Sequence, residues 1–246
     1  MLAIIGGTGL TQLANLEITR RQVIRTPYGE PSGALTFGKI REHEVVFLAR
    51  HGYGHTIPPH EVNYRANMWA LHSQGVKNVV SVASVGGIHP DYAPGTIVIP
   101  DQIIDYTHGR KSTYFEGGEK PVTHVDFTEP YCEEMRRRCM RAAALAGEKY
   151  IDGGVYAAVQ GPRLETKAEI DRLERDGATM VGMTGMPEAV LAKELELCYA
   201  AIAVVANFAA GRDASRYGIQ FKEIEIVLTN AMQRVRAILE HLVAFE

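Results

Sequence analysis

The sequence predicts an α/β protein with a central mixed β-sheet flanked by helices. Three observations carry that expectation. Apolar runs of strand length alternate with amphipathic helical stretches along the chain. Two of those runs, NVVSVASVGG and YAAIAVVANFAAG, are almost continuously apolar, the mark of strands covered on both faces. Of the 246 residues, 46% are hydrophobic, enough for a substantial core, and no linker, repeat or charge block divides the chain. One domain over residues 1–246 is expected.

In chain order, Leu2–Ile5, Arg21–Arg25, Ala34–Phe37 and Glu44–Ala49 read as short strands, and Glu61–Gly75 as a helix stopped by its glycine. NVVSVASVGG (78–87) is a buried strand, and GTIVIPDQIIDY (95–106) gives another. Glu129–Gly147 is a long amphipathic helix with EEMRRR on its wet side. GGVYAAVQGPRLET (153–166) reads as a strand running into a loop, followed by a helix over Lys167–Arg175. ATMVGMTG is a strand and turn. MPEAVLAKELEL is a helix with Pro187 near its first turn. A last buried strand begins at Tyr199, and Phe221–Phe245 closes the chain as a helix.

Composition narrows the function. A net charge of −3 gives no global pull toward nucleic acid or anionic lipid. The chain opens on a strand rather than a signal segment, and no apolar run reaches the length of a membrane span. The three cysteines, Cys132, Cys139 and Cys198, form no CxxC pair. The expectation is a soluble cytoplasmic protein with reduced thiols, Cys132 and Cys139 packing on one helix.

The polar features gather where strands end, which is where open α/β sheets bind ligands. IIGGTGL (4–10) fails both familiar glycine motifs. The third glycine of G-x-G-x-x-G falls on Gln12, and no Lys-Ser/Thr pair follows as a phosphate loop requires. What survives is a turn whose amides and Thr8 hydroxyl suit an anion, or a plain β-turn. LARHGYGHTIPPHEVNYRAN (48–67) delivers Arg50 and His51 from a strand end. Arg50 offers a planar fork for phosphate. No acidic or cysteine cluster accompanies the histidines, so a metal site is not expected. SVASVGGI (81–88) adds Ser84, and MTGMPE (183–188) puts Thr184 before a helix. Each alone reads equally as packing turn or helix cap, the latter through Thr184 and Glu188. Together they suggest a phosphate group held by neutral donors and one arginine.

The ordered motifs GGTGL, TPYGEPS, RHGYGHTIPPHEVNYRANMWAL, PGTIVIPDQIIDYT, THVDFTEPYC, GVYAAVQGPRLETKAE and VGMTGMPEA resemble the trimeric purine nucleoside phosphorylase superfamily, most of all its methylthioadenosine phosphorylase branch. The resemblance runs from Met1 to about Ala210. It implies phosphorolysis of a nucleoside, with inorganic phosphate as co-substrate and no metal or organic cofactor. It also implies a homotrimer or a pair of trimers, with neither nucleic acid nor membrane as partner. Carried over by motif, Thr8, Arg50, His51, Ser84 and Thr184 would hold phosphate. Ala83 departs from the branch, which has threonine there. Met183 would pack beneath the ribose, Leu164 replaces a phenylalanine facing the base, and Phe208 would line the ribose and base pocket. His124 matches a segment that reaches a neighbouring subunit's site.

Two departures bear on the base. Adenine-reading members carry Asp-x-Asp where this chain has Asn207-Phe208-Ala209, and Glu165 falls where 6-oxopurine phosphorylases carry a glutamate. A carboxamide can donate to N7 and O6, and a carboxylate accepts from N1–H, which adenine lacks. Asn207 also reads as a turn residue and Glu165 as a helix-start charge. Phe221 and Ile224 place an apolar surface where an inosine phosphorylase would have a histidine near the 5′ position. The expected substrate is 5′-methylthioinosine. Inosine or guanosine, methylthioadenosine, and a non-catalytic nucleoside binder are the alternatives.

Overall fold

The structure, a computed structural model, describes residues 1–118 and 121–245. Among the described residues, eleven strands join in one mixed sheet. On one side of its centre lie β1 (Leu2–Gly6), β2 (Glu17–Gln22), β3 (Leu35–Ile40) and β4 (His43–Ala49), in the order β2-β3-β4-β1. β5 (Asn78–Gly87) is the hub. Its first residues pair in parallel with β1, its whole length pairs in parallel with β11 (Cys198–Phe208), and its last two residues take β10 (Met180–Gly182) antiparallel. β9 (Val155–Ala158) and β7 (Gln102–Asp105) extend the β10 side, while β6 (Ile97–Ile99) and β8 (Ile151–Asp152) extend the β11 side.

The period-2 alternation of strands divides the core into two layers. In β1, Ala3 and Ile5 face α1 (Tyr64–Ser73) and α4 (Gly185–Glu194), while Leu2 and Ile4 face α2 (Glu133–Leu145) and α5 (Phe221–Leu242). α3 (Lys167–Arg175) buries Ile170 and Leu173 in a smaller cluster of its own. No helix among the described residues is long and apolar enough to cross a membrane.

The expected elements all form, with three informative differences. The run 95–106 is two strands, because Pro100 has no N–H for a ladder and the chain changes neighbours there: β6 joins β11 and β8, whereas β7 joins β9. The second strand lies at Glu17–Gln22, ahead of the expected Arg21–Arg25, and every one of its residues is exposed. It is an edge strand, and its charged side chains carry no periodic signal. α2 starts at Glu133 rather than Glu129.

That last shift is linked to a correction of the thiol chemistry. Cys132, at the N-cap of α2, forms a disulfide with Cys198, the first residue of β11. Their Cα atoms are 5.1 Å apart across 66 residues of sequence. Cys139 alone keeps its thiol, buried in the α2 layer. The partners belong to elements that meet only in the folded sheet, so their spacing carried no sign of the bond.

Candidate active site

The carboxyl ends of β1, β4, β10 and β11 and the second half of β5 converge on a cavity of about 410 Å³. It brings together Thr8, Arg50, His51, Ser84, Leu164, Glu165, Met183, Thr184, Asn207, Phe221 and Ile224.

At one end the first glycine motif meets Arg50. A Cβ on Gly7 would sit 2.8 Å from Arg50 Nη1 and 2.6 Å from the Val82 carbonyl oxygen, so only glycine lets the chain approach this closely. Arg50 is 1% exposed. Its fork is not offered whole to the cavity. Nε donates to Glu188 Oε2 at 2.6 Å, and Nη2 to Glu188 Oε1 at 2.8 Å and Ser81 Oγ at 2.5 Å. Nη1 donates to the Val82 carbonyl at 3.1 Å. Of the five guanidinium protons, one on Nη1 is left for a ligand. The planar fork expected to face phosphate is thus largely occupied by a carboxylate that the fold buries beside it.

Glu188, also 1% exposed, comes from α4 and accepts a further bond from the Tyr199 hydroxyl at 2.8 Å. Burial opposes ionisation of both groups. The pair outweighs it, lowering the carboxyl pKa and raising that of the guanidinium. The Thr184–Glu188 cap therefore does not form. Thr184 makes no side-chain capping bond, and Glu188 turns inward.

His51 is buried, and its Nδ1–H donates to the Ile57 carbonyl at 2.9 Å. Burial, reinforced by the Arg50 charge, pushes its pKa down to about 4. The ring is neutral near pH 7, and Nε2 keeps an acceptor lone pair. The electrostatic character of this end is thus an internally compensated Arg–Glu pair, a neutral imidazole, and the hydroxyls of Thr8, Ser84 and Thr184.

At the other end, a register shift between Val205 and Asn207 in β11 turns both Ala206 and Asn207 to the cavity. The next residue, Phe208, points elsewhere and does not line it, so its expected place in the pocket is corrected by simple strand alternation. Its backbone does take part. Asn207 Nδ2 donates to the Phe208 carbonyl oxygen at 2.6 Å. A carbonyl can only accept, so this contact fixes which end of the amide carries the nitrogen. Glu165 precedes α3, whose start is capped by a reciprocal Thr166–Glu169 box. The box is made by Thr166 and Glu169, without the Glu165 carboxylate. Burial, with Glu169 nearby, raises its pKa above the ordinary range. Glu165 also lines an adjoining cavity of about 570 Å³ with His108 and Arg163.

Between the two ends, Gly161 adopts φ +62°, and a Cβ there would lie 2.5 Å from Met183 Sδ. The third wall is apolar: Ile219 just before α5, and Phe221, Ile224 and Leu228 along its first two turns. Phe221 is 70% exposed at the mouth. His124 is exposed and outside the cavity of its own chain. Among the described residues no group of three or more His, Cys, Asp or Glu could hold a metal ion.

Sequence reasoning missed Ser81 and the Ile57–Pro59 wall, gave His55 no role, and read Glu188 only as a cap partner. Glu188 had a signal, a lone acid in the otherwise apolar start of a helix that lacks any cap bond.

The chain matches the Phosphorylase superfamily over residues 1–244. It belongs to that superfamily. A relative of this phosphorylase from Pseudomonas syringae pv. tomato, named a probable S-methyl-5′-thioinosine phosphorylase, is 53% identical over 237 residues, 96% of each chain. The 6-oxopurine nucleoside phosphorylase of Pyrococcus furiosus is 47% identical over 220 residues, covering 87% of this chain and 82% of its own. Among solved structures, methylthioadenosine phosphorylase from Schistosoma mansoni in complex with adenine superposes with a TM-score of 0.94 at 31% identity, covering 99% of this phosphorylase and 91% of that chain.

Proposed function

We propose that this phosphorylase cleaves S-methyl-5′-thioinosine with inorganic phosphate, giving hypoxanthine and 5-methylthioribose 1-phosphate for purine salvage. The observation that carries the reading is one cavity holding Asn207 and Glu165 at one end and the apolar wall Ile219, Phe221, Ile224 and Leu228 beside it. Relatives near 50% identity with 6-oxopurine or methylthioinosine names support it.

In this reading the C1′–N9 bond breaks as a phosphate oxygen bonds to C1′. Positive charge builds on the sugar and negative charge on the leaving base. Thr8, Ser84, Thr184 and the free Nη1 proton of Arg50 donate to the phosphate, and the His51 Nε2 lone pair accepts from its P–OH; together they hold it against the ribose, where its own charge stabilises the cationic sugar. Met183 floors the ribose. The second Nδ2–H of Asn207 donates to the base edge, Glu165 accepts from N1–H, and Leu164 covers the base as an aliphatic lid. Hydrogen phosphate gives up its proton as the ester forms, and the departing purine takes one up, so the reaction balances without a metal or organic cofactor.

Because the Glu165 carboxylate must be ionised to accept from N1–H, and its pKa is raised by burial, kcat/KM for 6-oxopurine nucleosides is expected to fall with decreasing pH sooner than an ordinary glutamate would cause. A pH profile of Glu165→Gln, which cannot titrate, should lack that limb. A limb retained in the variant would assign it to another group.

The 5′ wall supports the methylthio sugar. A hydroxyl buried there without a partner costs about 1–3 kcal/mol, so methylthioinosine should be preferred over inosine on the order of 10–100-fold in kcat/KM. Side-by-side phosphorolysis of the two nucleosides tests the reading. Equal efficiency would favour an inosine or guanosine phosphorylase instead. The homotrimer, with His124 reaching a neighbour's site, and a cytoplasmic setting belong to the same proposal. The Cys132–Cys198 disulfide is the feature at odds with a reducing compartment.

A further inference from the structure

Arg110 lies outside every motif discussed above, yet its guanidinium joins the loops that carry the site. It belongs to the segment after β7, half-buried. Nη1 donates to the carbonyl oxygens of Met183 at 2.8 Å and Met186 at 2.7 Å. Nη2 donates to the carbonyls of Gln160 at 2.8 Å and Val159 at 3.3 Å. Nε donates to Gln160 Oε1 at 3.2 Å, and Nη1 also reaches the Tyr64 hydroxyl at 3.3 Å. Tyr64 in turn donates to the Pro59 carbonyl at 2.8 Å, on the loop that carries His51 and His55.

All these partners are neutral acceptors. An arginine placed for charge would be matched to a carboxylate, as Arg50 is to Glu188. Arg110 is instead matched to backbone oxygens on two loops that share no strand. The first, 159–165, carries Leu164 and Glu165. The second, 183–186, carries Met183 and Thr184. Among the described residues, the hydrogen bonds that join both loops to one side chain come from this planar fork, whose geometry is set before the bonds form. Gly161 and Met183 are also in close approach where the loops meet, so a small shift of either loop is felt at the ribose floor.

We propose that Arg110 is a positioning residue that fixes the base-reading loop in register with the turn that carries Met183 and Thr184, so that base and phosphate are held at the right separation for bond exchange at C1′. The proposal rests on the phosphorolysis reading above. Its signature is a split. Each loop keeps its own contacts to one half of the ligand set, so loss of Arg110 should leave the half-sites intact and damage only their relation.

The test compares wild type, Arg110→Lys and Arg110→Ala. Measured for each are kcat with methylthioinosine and saturating phosphate, the Kd of phosphate alone, and the Kd of hypoxanthine alone by calorimetry. Misplacement of reacting groups by about 1 Å costs on the order of 100-fold, so kcat of Arg110→Ala should fall roughly 10–100-fold while both Kd values stay within about 3-fold. Millimolar guanidinium chloride should restore part of that kcat, and sodium chloride at the same concentration should not. Arg110→Lys, with a charge but no fork, should resemble the alanine variant. A kcat within about 2-fold of wild type overturns the proposal. So does a parallel weakening of both Kd values without guanidinium rescue, the behaviour of a merely structural residue. Failure of the phosphorolysis reading would appear separately, as absence of turnover in the wild type.

Discussion

Asn207→Asp combined with Glu165→Ser is expected to give this phosphorylase substantial activity on methylthioadenosine, which the wild type should cleave poorly. The base edge explains why. The Phe208 carbonyl holds the Asn207 nitrogen in place, so the amide cannot turn over to present its oxygen in that position. Its remaining Nδ2–H suits an acceptor such as O6 and opposes the 6-amino donor of adenine. In the proposed reading Glu165 accepts from N1–H of a 6-oxopurine and would meet a lone pair on adenine N1. Each mismatch leaves a buried polar group unpaired at about 1–3 kcal/mol, so two independent mismatches give wild-type discrimination on the order of 10²–10⁴. Aspartate at 207 places an oxygen 2.6 Å from the Phe208 carbonyl, where the nitrogen now stands. That contact favours a protonated carboxyl whose O–H donates to Phe208, leaving a lone pair on that same oxygen, where the second N–H of Asn207 now stands, to accept from the 6-amino group. The single variant should therefore recover part of the adenine activity and the double variant more. Adenine release from methylthioadenosine by the three proteins checks this. Wild type cleaving methylthioadenosine as well as methylthioinosine would remove Asn207 as the reader of the base.

Glu188→Ala should be the most damaging single change to stability. It leaves the Arg50 guanidinium, 1% exposed, without its counter-charge. Breaking a buried ion pair from one side costs about 3–5 kcal/mol, and for a chain of this size each kcal/mol lowers Tm by roughly 2–4 °C. Arg50→Met with Glu188→Leu removes both charges and should recover much of the lost stability, yet it should lose phosphate-dependent turnover, because the free Nη1 proton goes with the arginine. Thermal unfolding and activity of wild type and the two variants separate the two roles. A loss of less than about 1 kcal/mol in Glu188→Ala would mean that water reaches Arg50 and that the pair is not sealed as described.

The sheet was legible because its central strands are nearly continuous apolar runs, and α3 was read at its true limits because Thr166 and Glu169 box its start. β2 was misplaced because an all-exposed edge strand has no hydrophobic face to show. Within the site, the residues at strand ends were readable from their chemistry. What was not readable was how the fold spends them. Arg50 looked like a free fork, and only the folded chain shows Glu188 of α4 and Ser81 of β5 occupying most of it. Phe208 was placed in the pocket from its neighbourhood in sequence, but a single step along β11 turns it away from the face that Asn207 shares with the cavity. Arg110 could not have been found at all, since its partners are backbone carbonyls whose positions exist only after folding.

The most direct test of the account follows phosphate itself. Wild-type protein is incubated with methylthioinosine and oxygen-18-labelled inorganic phosphate, and the products are read by phosphorus NMR and chromatography. The expected result is hypoxanthine and a pentose 1-phosphate in equal amounts, with label retained in the ester oxygen bonded to C1′ and no base released when phosphate is withheld. Hypoxanthine appearing with free methylthioribose, or appearing equally well without phosphate, would contradict it.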